Sequence, residues 1–365
     1  MTATALAVES VVAGWQECIR EAARDGRPLR LRGSGSKDFY GQALSGDLVD
    51  TRAHAGIVDY EPAELVLTAR AGTPLAEIER ALDDAGQMLA FEPPHFGEHA
   101  TLGGAIACGL SGPRRPYAGA VRDLVLGTRV IDGRGDELQF GGRVMKNVAG
   151  FDVSRLMAGS LGTLGLITEV SLKCLPRPRE EVTRVLAVSA DEAIRLVNQW
   201  GGQPLPLSAT AYVDGQLWVR LSGAGPAVRS AIERVGGDAV DNGALWWTSL
   251  REQQHPFFER ARAGEAELWR VSVRSTAAHA DLGGGQLIEW GGALRWVVPE
   301  PGVDAARLRS WAVAHGGHAT LFRAHDKSGS VFQPLATPLA TIHKRLKAEF
   351  DPRGILNPGR MAVGV

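Results

Sequence analysis

"RLRGSGSKDF", residues 30–39, places two glycines and two serines directly after a strand-like run that begins at Pro28. A glycine-rich turn after a strand often holds phosphate, because its successive backbone N–H groups form a concave anion site. A Rossmann fingerprint needs a third glycine three positions after Gly35, and Asp38 stands there instead. The stretch therefore argues against a dinucleotide fold of that kind. It leaves two interpretations, an ordinary Gly-Ser loop or a phosphate site in a different fold.

The composition is that of a globular protein without an obvious polyanionic partner. The 365 residues are 44% hydrophobic and 22% charged, and the formal net charge is −1. This length suffices for two domains, and a net charge near zero gives no reason to expect nucleic acid as a partner. We find no signal peptide and no apolar stretch long enough to cross a bilayer. We expect a cytoplasmic protein without direct membrane insertion, associated with a membrane through partner subunits if at all.

The order of the predicted elements indicates an α+β fold. A helix over residues 8–24 is followed by strands, and the next helix begins after Thr73 as N-cap and stops at Gly86. Strands follow one another without intervening helices, unlike the alternation of a doubly wound sheet. Pro176 and Pro178 lie in a charged stretch that is typical of a domain boundary. We therefore divide the chain into three parts, at residues 1–175, 176–335 and 336–365.

Two further glycine clusters lie in the first part. Residues 99–119 read HATLGGAIACGLSGPRRPYAG, and Gly103 and Gly104 there would let a ligand lie against the backbone. In residues 145–168, Gly159, Gly162 and Gly165 recur at every third position, which would be costly inside a helix. We expect a helix that ends near Met157, then an irregular turn and a strand, with Lys146 and Asp152 as polar anchors. Together the three turns predict one large, flat, phosphate-bearing ligand, and a flavin dinucleotide meets that description.

The sequence contains no motif for a metal site, an iron–sulfur cluster, a hydrolase or a nucleotide P-loop. The cysteines Cys18, Cys108 and Cys174 are far apart and form no C-x-x-C motif, so we expect no iron–sulfur or zinc site in this chain. We interpret Cys108 as a packed thiol. No H-E-x-x-H motif, hydrolase elbow or nucleotide P-loop occurs.

The motifs resemble the FAD-binding domain of the vanillyl-alcohol oxidase/p-cresol methylhydroxylase (PCMH) superfamily. The resemblance rests on RGSGSKDFYG, ATLGGAIACGLSGP and KNVAGFDVSRLMAGSLGTLGLITEVSLKCLP. The terminal FDPRGILNPGRM is similar to the closing segment of the 2-hydroxy-acid dehydrogenase branch. GPRRPY, REQQHPFF and QLIEWGGALRW extend the similarity to the FAD-binding subunits of glycolate oxidases, over nearly the whole chain. The resemblance implies a two-subdomain FAD-binding domain, a smaller α+β cap, and a C-terminal segment that returns to the FAD domain.

The resemblance also implies roles for individual residues. Those expected to hold the pyrophosphate are Arg32, Gly33, Ser34, Gly35, Ser36 and Lys37. Those expected to line the flavin are Pro94, Thr101, Gly103, Gly104, Ser111 and Gly112, and Gly162, Gly165 and Ile167 would close over the adenosine half. Many superfamily members attach FAD through a histidine in the first turn, where this chain has Ser36. We therefore expect non-covalent FAD.

The implied function is that of an FAD-binding subunit in a complex that oxidises glycolate, or a similar small 2-hydroxy acid, to the 2-oxo acid. The implied partners are a second FAD-containing subunit and an iron–sulfur subunit. Oxidising subunits of this kind carry an H-G-E-H-G metal motif; the nearest stretch here, His315 to His318, lacks the Glu, so we expect no metal. The candidates for accepting the hydroxyl proton are His318, Arg323 and His325. Two alternatives stay open, a self-sufficient D-lactate-like dehydrogenase and a non-catalytic assembly subunit.

Overall fold

The computed structural model describes residues 3–142 and 151–361, so the predicted anchor Lys146 lies outside the described residues. The first half of the chain forms these elements in order: α1 Ala3–Asp25, β1 Leu29–Arg32, β2 Asp47–Asp50, β3 Ile57–Glu61, β4 Val66–Arg70, α2 Leu75–Asp84, β5 Gln87–Met88, α3 Leu102–Cys108, α4 Arg115–Ala118, α5 Val121–Leu124, β6 Val125–Ile131, β7 Glu137–Gly141, α6 Phe151–Met157, β8 Leu166–Lys173 and β9 Leu175–Pro176. The second half continues with β10 Glu180–Ala187, α7 Ala190–Gly201, β11 Leu207–Val213, β12 Gln216–Gly223, α8 Gly225–Val235, β13 Asp238–Ala239, α9 Gly243–Arg251, α10 Glu259–Arg262, β14 Leu268–Ser272, β15 Gly284–Glu289, β16 Leu294–Pro299, α11 Ala305–Ala314, β17 His318–Arg323 and α12 Thr337–Phe350.

The first half is built on a five-stranded antiparallel sheet with the order β3-β4-β8-β6-β7. Strands β1 and β2 pair in parallel as a separate small sheet, and β5 pairs with β9. Helices α2 and α3 contribute Leu75, Ile78 and Ile106 to the core beneath β4 and β8. An antiparallel sheet of this kind is incompatible with a doubly wound fold, which confirms the α+β prediction.

The second half forms an eight-stranded sheet, which is larger than the first. Its order is β13-β10-β12-β11-β15-β16-β14-β17, and every neighbouring pair is antiparallel. Helices α7 and α8 pack on one end of the sheet through Val197 and Val228, and α11 packs near β14 through Leu308. The change from one sheet to the other falls between Pro176 and Glu180.

One local prediction needs correction, and one helix was not predicted. Helix α2 begins at Leu75 with Pro74 as its N-cap residue, so Thr73 is not the cap. The Thr73 hydroxyl instead donates to the Arg70 carbonyl and accepts from the Gly56 amide, which fixes the preceding turn. Residues 102–108 show no clear period in the sequence, yet they form α3 with Thr101 as N-cap.

The C-terminal segment packs against the first half of the chain. Helix α12 ends at Phe350, and the Phe350 ring lies edge-on to Phe140. Beyond it, Asn357 accepts a hydrogen bond from the Leu31 amide and donates one to the Leu161 carbonyl. This tail therefore joins β1 to the turn before β8.

Helix α1 covers the small parallel sheet. It buries Ile19 and Ala22 against Leu29 and Val49, and Trp15 meets the His54 ring edge-on at 5.5 Å between centroids. In the described part of the chain, no helix combines the length and the apolar character that crossing a membrane requires.

His54 should make the fold sensitive to acid. Burial and the nearby Arg70 cation lower the pKa of His54 from 6.5 to about 4. The unfolded chain therefore binds this proton at higher pH than the folded chain, so stability is complete above pH 6.5 and is lost as the pH falls toward 4. The expected loss is up to about 3 kcal/mol, measured by urea unfolding across this window.

His54→Gln should remove that part of the pH dependence, and the exposed His279→Gln is the matched control. A His54→Gln protein with the wild-type stability profile between pH 6.5 and 4 would contradict the assignment.

Candidate functional site: a glycine-lined cleft between two sheets

A cleft lies where the glycine-rich turns meet. The cleft is lined by the turn after β1, by Ala71 after β4, by one side of α3, by the turn before β8 and by the C-terminal tail. The predicted residues that line it are Arg32, Gly33, Ser34, Gly35, Ser36, Lys37, Thr101, Gly103, Gly104, Gly162, Gly165 and Ile167.

Three glycines bring these segments into close contact. A Cβ on Gly33 would lie 2.2 Å from the Thr101 hydroxyl, and one on Gly103 would lie 2.7 Å from the Ala71 Cβ. Gly162 has a φ of +71°, and a Cβ there would lie 2.6 Å from the Asn357 amide nitrogen. Larger residues would therefore push apart the elements that form the cleft.

The first turn offers free backbone donors. The amides of Ser34, Gly35 and Lys37 donate to no acceptor in residues 3–142 or 151–361. Loop amides of this kind bind anions.

The charge of the cleft is positive on balance. Arg32 pairs with Asp38 at 2.9 Å, while Lys37 and Arg360 also line the cleft. The Lys37 side chain is 6% exposed, and its ammonium donates to the His95 carbonyl at 3.1 Å. Burial lowers the pKa of Lys37. These three cations and one carboxylate match a ligand that carries negative phosphates.

Sequence reasoning missed two cleft residues in the C-terminal tail. Asn357 and Arg360 both line the cleft, and Arg360 donates to the backbone carbonyls of Gln42 and Asp38. The signal available was the NPGR stretch, a polar and glycine-containing turn after a helix. Cys108 also lines the cleft, and burial raises its pKa, so the thiol stays protonated.

Three predicted flavin residues lie in an adjoining space. Pro94, Ser111 and Gly112 line a second, small cavity, whose other wall carries Gln253, Arg270 and Glu289 from the second half of the chain; we call it the Glu289 cavity.

The Glu289 cavity lies at the junction of the two halves, which hydrogen bonds join on either side. The Trp290 indole donates to the Gly112 carbonyl at 3.1 Å, and Glu252 accepts from the amides of His95 and Phe96.

Aromatic side chains lie near both spaces. Phe39, Phe96 and Phe322 meet edge-on, and Phe96 and Phe322 line the Glu289 cavity. The Arg323 guanidinium lies 3.5 Å from the Phe39 ring centroid and donates to the Gln253 side chain at 2.8 Å. Burial lowers the pKa of Arg323 to about 10.

The other two candidate proton acceptors are placed elsewhere. His318 is an exposed residue at the start of β17, and His325 lines a separate surface cavity with Arg260 and Asp326. Neither lines the cleft or the Glu289 cavity. In residues 3–142 and 151–361, no group of three or more His, Cys, Asp or Glu side chains could hold a metal ion.

Comparison with known proteins explains this architecture. Residues 10–141 match a family described as an FAD binding domain. The chain is 51% identical over 345 residues to the glycolate oxidase subunit GlcE of Escherichia coli, with 94% of this chain and 95% of that protein covered. It belongs to the FAD-binding glycolate oxidase subunit family. A further member, the glycolate oxidase subunit GlcD of Bacillus subtilis, is 34% identical over 408 residues and covers 92% of this chain and 83% of its own.

Solved structures support the fold of this family member. An alkyldihydroxyacetonephosphate synthase superposes with a TM-score of 0.64 over 94% of this chain and 73% of its own, at 14% identity. Identity at this level supports a shared fold alone.

FAD is the cofactor of this family member, and the residues of the cleft fit it. The donors of the first turn and the neighbouring cations suit a pyrophosphate. Gly33, Gly103 and Gly162 allow the protein segments that form the cleft to approach one another closely. The roles of the individual residues remain predictions.

Proposed function

We propose that this chain is an FAD-binding subunit of a multi-subunit complex that oxidises glycolate to glyoxylate. The observation that carries the proposal is the convergence of the three glycine turns on one cleft, beside a cavity with polar groups. Bound FAD supplies a two-electron acceptor. The residues of this chain bind the cofactor and shield it, and the electrons then pass to partner subunits.

The proposed roles follow the positions of the residues. The turn at residues 32–37 holds the pyrophosphate through its amides and Lys37. Gly162, Gly165 and Ile167 close over the adenosine half, and Pro94, Ser111 and Gly112 line the flavin from the side of the Glu289 cavity. Ser36 cannot form the covalent link that a histidine would form, so the FAD is dissociable.

The proposed partners are a second FAD-containing subunit and an iron–sulfur subunit. Cys18, Cys108 and Cys174 are free thiols without a cluster motif, so a chain of metal-centred electron carriers must lie outside this subunit. We place the complex in the cytoplasm, with any membrane contact made through the partners.

Purification of this chain alone and with its partner subunits tests the proposal. The isolated chain should be yellow and should release its flavin on acid precipitation. Sustained glycolate-dependent dye reduction should require the complex and should disappear when this chain is omitted. A colourless chain that takes up no FAD on titration would favour the assembly role. Turnover by the isolated chain at the rate of the complex would favour a self-sufficient dehydrogenase.

A further inference from the structure

The Glu289 cavity contains polar groups that FAD binding in the cleft does not explain. Gln253, Arg270 and Glu289 come from three separate elements of the second half, and all three line this space. Facing them are Pro94, Ser111 and Gly112, which we propose line the flavin. A small molecule in this cavity would therefore lie between charged side chains and the flavin-lining segments.

Arg270 has no directly bonded counter-ion in the described ranges, although the negative charge of the Glu289 carboxylate attracts it through space. Its guanidinium has no hydrogen-bond or ion-pair partner within the described ranges, and it packs on the Trp290 ring at 4.9 Å from the centroid. Burial lowers the pKa of Arg270. A half-buried guanidinium with unused donors is well suited to a carboxylate, which it can bind through two parallel hydrogen bonds.

Gln253 is buried, its backbone conformation is strained, and its side-chain amide has only part of its hydrogen bonds. It is 2% exposed and has a φ of +54°, a conformation that a non-glycine residue rarely adopts. Its carbonyl oxygen accepts from Arg323, which fixes the orientation of the amide, and its Nε2 has no partner among the residues that the structure describes. Buried unpaired donors and backbone strain are both found at binding sites.

Glu289 is a buried carboxyl group on the same cavity. It is 5% exposed, and one of its oxygens accepts a hydrogen bond from the Trp296 indole at 2.6 Å. Burial raises the pKa of Glu289 to about 7. Arg270 on β14 and Arg220 on β12 favour its charged form, whereas the Glu92 carboxylate opposes it. A carboxyl group of this kind can accept a proton near neutral pH.

We propose that the Glu289 cavity is the substrate site of this chain, in which Arg270 and the Gln253 amide bind the carboxylate of a small 2-hydroxy acid and Glu289 accepts its hydroxyl proton. The proposal rests on the proposed function, because it needs FAD beside the cavity. It replaces His318 and His325, which lie elsewhere, as candidates for the proton acceptor.

The reaction balances with these groups. Oxidation of a CH–OH group to a carbonyl removes a hydride from carbon and a proton from oxygen. Glu289 takes the proton as the O–H bond breaks and the C=O bond forms. Oxidised flavin is the class of acceptor needed for the hydride and its two electrons. The products are the 2-oxo acid, a protonated Glu289 and the acceptor reduced by two electrons.

Binding of oxalate tests the role of Arg270 without turnover, because oxalate has two carboxylates and no hydride to lose. Titration of the FAD-loaded chain by calorimetry should show at least about tenfold weaker binding for Arg270→Gln. Arg115→Gln is the matched control, since Arg115 also packs on Trp290 at 4.4 Å, makes no ion pair within the described ranges and does not line the cavity. Arg270→Lys keeps the charge and should bind oxalate with intermediate affinity. If oxalate binds the Arg270 variants as tightly as the wild type, the assignment is overturned.

The pH dependence of oxalate binding tests Glu289. Affinity should fall as the pH rises through about 7, because the ionised carboxylate then repels the bound anion. Glu289→Gln should abolish this fall. Glu267→Gln should keep it, because Glu267 also accepts from an indole, that of Trp269, but is exposed and outside the cavity. Bleaching of the flavin by glycolate should slow by at least about 100-fold in Glu289→Gln. An unchanged pH profile in that variant would overturn the role of Glu289.

The two proposals can fail separately when the same variants are assembled into the complex. If the wild-type complex does not oxidise glycolate, the proposed function fails. If it does, and the Arg270→Gln and Glu289→Gln complexes turn over like their controls, the substrate is oxidised elsewhere and this inference fails alone.

Discussion

Replacing Gly103 by valine should abolish or severely weaken FAD binding. Gly103 donates its amide hydrogen to the Ala71 carbonyl at 2.8 Å, so α3 lies directly against the end of β4. A Cβ at this position would lie 2.7 Å from the Ala71 Cβ and 3.1 Å from its carbonyl oxygen. Ala71 cannot easily move aside, because its own amide donates to the backbone carbonyl of Thr168 in β8. Both contacting residues line the cleft, so their separation changes its shape.

The size of the effect follows from the cost of overpacking. Inserted methyl groups in a tightly packed region cost about 1–3 kcal/mol, and about 3 kcal/mol corresponds to roughly a 100-fold loss of affinity. Titration of the apoprotein with FAD, followed by flavin fluorescence, measures this loss directly.

Gly201→Val is the control for Gly103→Val. Gly201 is the last residue of α7, and a Cβ there would meet no atom within 4 Å. This variant should bind FAD like the wild type. A Gly103→Val protein that does the same would show that the close contact of α3 with β4 is not needed for the cofactor.

The sequence predicts the glycine turns of the cleft because glycine clusters are local signals. Gly33, Gly103 and Gly162 each lie in a short stretch whose composition marks a close approach of backbone. The hairpin of β6 and β7 and the end of α6 at Met157 were likewise predictable from local patterns. Helix α3 was not recognised from the sequence. Its two glycines and small residues obscure the helical periodicity of the buried residues Leu102, Ala105 and Ile106.

The remaining site residues depend on contacts over long sequence distances. Asn357 reaches the cleft because it bonds to Leu31 and Leu161, and no local pattern encodes these pairs. Arg270 and Glu289 lie on different strands, separated in the sheet by β16. They can be recognised as parts of one site only when the folded sheet brings both side chains to the same cavity. A charged residue within an apolar strand, as in QLIEW, was the available signal for Glu289.

Lys347→Met should be the most destabilising single change in the C-terminal segment. The Lys347 ammonium is buried and donates to the Asp351 carboxylate at 2.6 Å and to the carbonyls of Thr163 and Leu356 at 2.7 and 2.8 Å. It therefore ties α12 and the tail to the turn before β8. Without the ammonium, the Asp351 carboxylate would be buried without a counter-ion, which costs about 3–5 kcal/mol. Urea unfolding measures the loss.

The same variant should also weaken FAD binding, because Thr163 lies in the turn of the cleft and Asn357 follows Leu356 directly. Lys344→Met is the control, since Lys344 is exposed on the same helix and its loss should change stability by no more than about 0.5 kcal/mol. Adding Asp351→Asn to Lys347→Met should recover part of the stability by removing the unpaired charge. If Lys347→Met unfolds at the wild-type urea concentration, the tail must be held by the Asn357 and Arg360 hydrogen bonds instead.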